Sequence, residues 1–190
     1  MFYKDGLAIR DEHGRQCIFK GVNICIKKDH FNYFVYRMEK QFDKMFAEYV
    51  ENGINIIRLG FNWSALEPEK NCFDERALGF LKKFVSTAQD NNIYVLLDVH
   101  QDLYCSKFRF GDGAPSWVTK DYPRKRPVAI WAEGYFYFKD VQRAFNDFWR
   151  NKNNVQTDFS EFWDKIVLEF KGFDNVIGYD FLNEPMITDY

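Results

Sequence analysis

The chain has 190 residues, with 26 Lys and Arg against 28 Asp and Glu and a formal charge of −2 at pH 7. Broad electrostatic attraction to nucleic acid or to an anionic membrane is therefore not expected. Hydrophobic residues make up 46% and charged residues 28%, which excludes disorder, collagen and coiled coil as the main description.

The N-terminus, MFYKDGLAIRDEHG, shows neither an apolar h-region nor a small-residue cleavage site, so a cytoplasmic chain is expected. No apolar run approaches the roughly 20 residues needed to span a bilayer. Leu7–Arg10 and Gln16–Ile24 are β-prone runs around a turn at Asp11–Gly14 and read as a hairpin. A helix follows near Met38–Asn52, with Phe42, Met45, Phe46, Tyr49 and Val50 on one 3.6-residue face and Gly53 as its terminator. Ile54–Phe61 is an almost continuous apolar run, the mark of a strand in a parallel sheet.

The unit then repeats. Asp74 is placed to N-cap a helix to about Asn91, with Leu78, Leu81, Phe84, Val85 and Ala88 inward. Ile93–Val99 is another apolar strand. The stretch from about 101 to 140 is rich in aromatics, Pro and Gly, and long enough to suggest a functional excursion. A helix is expected over Asp140–Arg150. Asp158 and Glu161 form a capping-box pair for another, which would bury Phe159, Phe162, Trp163, Ile166, Val167 and Phe170. Val176–Leu182 is the last strand. Strands alternating with amphipathic helices predict βαβ units, a parallel sheet and a single α/β domain over 1–190. Cys17, Cys25, Cys72 and Cys105 lie far apart without CxxC spacing, so reduced thiols are expected and no metal site.

Three strands close on polar groups. In a barrel of parallel strands, sites lie at the C-terminal ends of the strands, which would bring Arg58, His100, Asn183 and Glu184 to one pocket. Glu184 is the sharpest candidate, because a carboxyl shielded from water in a cleft can stay protonated near neutral pH and protonate a glycosidic oxygen. Pro185 is expected to hold it in extended backbone. Asn183 could donate to a sugar hydroxyl. Arg58, in an apolar strand, must be paired, either as a structural ion pair or to orient a carboxylate. His100 is either a satisfied core histidine or a pocket hydrogen-bonder. Trp63, Trp117 and Trp131 could stack on sugars, with ordinary packing the alternative.

Together these segments resemble glycoside hydrolase family 5, and within it the endoglycoceramidase-like branch. The resemblance runs in order through GVNICIK at 21–27, RLGFNWSALEP at 58–68, LLDVHQDLY at 96–104, GDGAPSWVT at 111–119, RAFNDFW at 143–149 and YDFLNEP at 179–185. It implies a (β/α)8 TIM-type barrel, of which this chain would supply roughly the first four β/α units after a hairpin. It also implies retaining hydrolysis of β-glycosidic bonds, in glycolipid or oligosaccharide catabolism, without a cofactor. Position by position, Glu184 is implied as general acid/base. Asn183 would contact the sugar 2-hydroxyl, Arg58 and His100 would order the site, Lys27 and Asp102 would contact the glycone, and Trp117 would bind substrate.

A retaining glycosidase needs two carboxyls about 5–5.5 Å apart. The family's nucleophile is expected on a seventh strand, beyond these residues, and Asp98 and Asp180 lie too early in their strands to replace it. The expectation is an N-terminal part with little or no turnover alone, its partners being the sugar substrate and either a C-terminal half or a second copy. The alternative is a non-catalytic carbohydrate- or glycolipid-binding half-barrel.

Overall fold

The computed structural model describes residues 2–122 and 130–187; positions 123–129 of the aromatic excursion lie outside them. The chain opens with an antiparallel hairpin, β1 (Tyr3–Asp5) and β2 (Ala8–Arg10), turning at Gly6 and Leu7. The run expected as the second hairpin strand behaves otherwise. Only Gln16 bridges back to Arg10, while β3 (Gly21–Ile26) starts the main sheet. The Asp11 carboxylate explains the break: it accepts from the amides of His13 and Arg15 and closes a tight local turn.

The main sheet is parallel and runs in the order β3, β4 (Ile56–Asn62), β5 (Tyr94–His100), β6 (Val176–Asp180). Its helices are α1 (Tyr33–Met38), α2 (Phe42–Glu51), α3 (Trp63–Leu66), α4 (Glu75–Asp90), α5 (Glu133–Tyr137), α6 (Lys139–Trp149) and α7 (Val155–Phe170). The helix expected over 38–52 is a 3₁₀ turn at Glu39–Gln41 followed by α2, and α1 precedes it where no helix was expected. Gly53, at φ +69°, supplies the left-handed residue that ends α2. Asp74 caps α4 as expected, accepting from the amides of Arg76 and Ala77.

One sheet face is apolar. Ile57, Leu59, Phe61, Val95, Leu97 and Val99 are fully buried, and the helices pack against them. Phe42 and Phe46 of α2 meet Phe84 of α4 edge-on at 5.2 and 5.1 Å between ring centroids. The inward residues expected of α4 are all buried; Val50 of α2 and Val167 of α7 are instead exposed. Each sits at the margin of its helix's apolar stripe, past the reach of the sheet.

The opposite face is polar. Register places Cys25, Gly60, Asp98 and Asp180 in one layer across the four strands, with Asn23 beside Arg58 one layer below. Gly60 is required there, since a Cβ would stand 2.7 Å from Cys25 Sγ and 2.8 Å from Asp98 Oδ2. Four strands in sequence order, helices on the outer face and a polar inner face make four β/α units of a (β/α)8-type barrel. All four cysteines are free thiols. No helix among the described residues is long and apolar enough to cross a membrane.

Candidate active site

Arg58 ties the inner face together. Its Nη2 lies 2.8 Å from Asp180 Oδ2 and 2.9 Å from Asn183 Oδ1, Nε donates to Asp180 at 3.1 Å, and Nη1 reaches Asn23 Oδ1 at 3.2 Å. Asp98 Oδ1, fully buried, stands 3.0 Å from Nη2 as an ion pair off the hydrogen-bond axis. One guanidinium thus joins all four strands, which the planar, multi-donor fork allows and an ammonium would not. The contacts match the structural ion-pair reading of Arg58, and the candidate site residue that it holds is the Asn183 amide.

His100 is 5% exposed. Its Nδ1 lies 3.0 Å from Asp98 Oδ2 and its Nε2 3.4 Å from Asn183 Nδ2. With Nδ1–H donated to Asp98, Nε2 accepts from Asn183. Asn183 Nδ2 also donates to the Gln101 carbonyl at 3.2 Å, and Asn183 N to the Val99 carbonyl at 3.0 Å. The Asn183 amide is therefore fixed from both ends.

Lys27 and Asp102 meet at 2.5 Å across the ends of β3 and β5. Burial works against the Lys27 charge, but the hydrogen bond and the charge of Asp102 outweigh it and hold the lysine above its usual range. Asp112 adjoins them through a two-way backbone bridge with Asp102. Its carboxyl is pushed up to about 6, first by burial and then by the charge of Asp102. Asn62 stands in register with His100 and is fully buried, with neither side-chain polar atom partnered.

Glu184 follows at the rim. It is exposed rather than shielded, and its backbone is left-handed at φ +41° rather than extended. Four carbonyls around it accept side-chain hydrogen bonds. Trp163 Nε1 holds Phe181 O at 3.1 Å, Gln101 Nε2 holds Asn183 O and Glu184 O at 2.7 and 3.2 Å, and Trp149 Nε1 holds Met186 O at 2.8 Å. These bonds bend the chain away from the course that Pro185 alone would favour.

Trp117 does not join this cluster. Its Nε1 donates to the Glu67 carbonyl at 3.1 Å, and its ring meets Trp63 edge-on at 5.4 Å. It lines a separate groove with Lys70, Tyr122 and Arg143. Trp63 is buried at 3% exposure and packs on Phe159 and Phe162, whereas Trp131 is 43% exposed. The structure therefore brings Lys27, Arg58, His100, Asp102, Asn183 and Glu184 to one face and leaves Trp117 outside.

Among the described residues, ligand atoms of Cys25, Asp98 and His100 come within 4.8 Å of one another. Both Asp98 oxygens are already engaged by Arg58 and His100. A cation there would face the guanidinium, and the Cys25 thiol is pushed up to about 12, by burial first and the Asp98 charge second. The donors fit an ion-pair triad better than a metal centre.

Sequence reading overlooked Gln101 and Asp112, and it treated Asp98 and Asp180 only as poor nucleophiles. Gln101 lies between two named residues, which was the signal available. Asp98 and Asp180 gain their roles only from cross-strand register, and Asp112 from its backbone bridge to Asp102.

A family model described as Cellulase (glycosyl hydrolase family 5) matches residues 10–189. The chain is 29% identical over 203 residues to an endoglycoceramidase of Cyanea nozakii, covering 94% of this chain and 40% of that protein. It superposes on endo-glycoceramidase II from Rhodococcus sp. in its lactosyl-enzyme intermediate with TM-score 0.77 and 26% identity, over 93% of this chain and 42% of that one. The same enzyme in complex with ganglioside GM3 gives TM-score 0.75 at 26% identity, with the same coverage. The chain spans about 40% of the length of the relatives that it matches.

Proposed function

The chain belongs to glycosyl hydrolase family 5, and from that premise we propose that it carries the acid/base side of a retaining β-glycosidase that acts on glycolipids. Glu184 protonates the glycosidic oxygen as the bond to the anomeric carbon breaks. A second carboxyl, contributed from outside these 190 residues, attacks that carbon and forms a glycosyl ester. Glu184, now a carboxylate, takes a proton from water, and the resulting attack releases the sugar with retention. Asn183 Nδ2 binds the 2-hydroxyl, and the Lys27–Asp102 pair binds hydroxyls further along the glycone.

The observation that carries this reading is the fixed Asn183–Glu184 pair at the end of β6, with the Asn183 amide oxygen on Arg58. The other inner-face carboxyls support the division of labour. Asp98 and Asp180 are bound to Arg58, and Asp102 to Lys27, so none of these three is free to attack. A lipid aglycone is supported by the relatives' names and by the aromatic excursion, where Phe136 and Tyr137 are each 73% exposed. Apolar surface of this kind gains about 25 cal/mol per Å² when an acyl chain covers it.

The test is an assay of the purified chain against glucosyl- and lactosyl-lipids and soluble β-glucans, with and without a polypeptide supplying the remaining strands. Turnover is expected only with the added strands, on the lipids, and lost in Glu184→Gln. Retaining hydrolysis by the chain alone would overturn the division of carboxyls. Activity confined to soluble glucans would overturn the lipid substrate. Saccharide binding without turnover in either case would favour a non-catalytic binding half-barrel.

A further inference from the structure

Three non-glycine residues around the site have left-handed backbone: Leu103 at φ 52°, Tyr104 at φ 72° and Glu184 at φ 41°. Side chains with a Cβ persist there only where the surroundings hold them. Each is bonded to one member of a linked pair of side chains: Leu103 to Tyr135, and Tyr104 and Glu184 to Gln101.

Gln101 is 2% exposed and uses the full capacity of its amide. Nε2 donates to the carbonyls of Asn183 and Glu184, while Oε1 accepts from Tyr104 N at 2.7 Å and from the Tyr135 hydroxyl at 3.4 Å. The Tyr135 oxygen in turn accepts from Leu103 N at 2.9 Å. Tyr135 belongs to α5, inside the aromatic excursion, and its ring stacks on Phe145 of α6 at 6.3 Å. Burial, with added push from the charges of Asp102 and Glu184, keeps its hydroxyl protonated.

We infer that Gln101 and Tyr135 form a latch that sets the backbone of Glu184, so that docking of the aromatic excursion also places the acid/base carboxyl. Both are positioning residues, since neither is asked to touch substrate. The inference rests on the reading of Glu184 as acid/base, but its geometry is independent of that role. The sequence separations show what the latch joins: Gln101 reaches 82 and 83 residues forward to the end of β6, and Tyr135 reaches 32 residues back to Leu103. Ordinary core packing would not need a four-bond amide at that junction, nor three left-handed residues around it.

The test is nuclear magnetic resonance on the 190-residue chain, following amide exchange and the Cα and Cβ shifts of Glu184. In Tyr135→Phe, which keeps the ring on Phe145, the Leu103 amide should exchange about tenfold faster, as expected for one lost buried hydrogen bond. The Glu184 shifts should move part of the way towards those of an extended residue. In Gln101→Met the Tyr104 amide should be released as well and the Glu184 shifts should move fully, while amides of β4 and β5 keep their protection. Gln101→Glu, which keeps the acceptor but not the donors, should restore protection at Tyr104 without restoring Glu184. Unmoved Glu184 shifts in both Tyr135→Phe and Gln101→Met would overturn the latch, and so would equal loosening of all strands. If Glu184→Gln leaves turnover intact in the completed enzyme, the acid/base reading fails while the latch stands on the resonance data.

Discussion

Arg58 is where a single substitution reaches furthest, because its guanidinium is shared by Asn23, Asp98, Asp180 and Asn183. Arg58→Met keeps an unbranched apolar stem but removes the guanidinium, and leaves Asp98, which has no exposed surface, without its cationic partner on β4. Removing one partner of a buried ion pair costs about 3–5 kcal/mol, so urea unfolding should show a loss of that order. Arg58→Lys should recover part of it but not the orientation of Asn183. Asp112 contributes a pH dependence of its own. Its folded value of about 6 stands above the ordinary 3.8, so the folded chain holds a proton that the unfolded chain releases across that window. Stability therefore falls as pH rises from about 4 to 6, by on the order of 3 kcal/mol. Asp112→Asn removes the titration. Its unfolding midpoint should exceed that of the unsubstituted chain at pH 7.5, with the gap closing towards pH 4. A gap that is constant with pH would rule out Asp112 as its source.

The start of α7 shows how an element can be found correctly and explained wrongly. Asp158 and Glu161 look like a capping box, but the helix begins three residues earlier, at Val155. Asp158 lies in its first turn and pairs with Lys70 at 2.7 Å. Asn154 holds the N-cap position without a side-chain bond, and the first-turn amides of Gln156 and Thr157 donate instead to the Asn151 side-chain oxygen at 3.0 and 3.1 Å. Asn151, Asn153 and Asn154 all take left-handed backbone, which asparagine tolerates better than other side chains. Asn151→Ala should therefore lower thermal stability by about 1 kcal/mol, with Asp158→Ala moving the midpoint less; the reverse ranking would restore the capping box. Asn154→Gly should be neutral, whereas Asn154→Val should be costly. The strands and the long helices α4, α6 and α7 were legible because periodicity is local, as is the Asp74 cap of α4. The short hairpin and α1 were not, since side-chain hydrogen bonds such as those of Asp11 and Asn32 decide them.

At the scale of the molecule, the strand-end rule brought Arg58, His100, Asn183 and Glu184 together from sequence, because apolar strand bodies ending in polar residues mark one face of a parallel sheet. The backbone of Glu184 and the placement of Trp117 were not legible. Bonds from Gln101 and Trp149, and from Trp117 to the Glu67 carbonyl, decide them across distant segments. The same sheet predicts how the chain behaves in solution. Among the described residues, β3 pairs only with β4 and β6 only with β5, so each leaves one row of backbone groups without a strand partner. Large exposed apolar side chains flank both edge strands in the sequence: Ile18, 78% exposed, precedes β3, and Phe181 and Ile187, 64% and 62% exposed, follow β6. Unpaired parallel edges flanked by apolar surface favour pairing with another chain. Sedimentation velocity from micromolar to submillimolar concentration should therefore show reversible self-association of the 190-residue chain. Ile18→Lys and Ile187→Lys, at exposed positions that do not support the core, should shift it towards monomer with the thermal midpoint unchanged. A chain that stays monomeric over the whole range would mean that these edges are already protected.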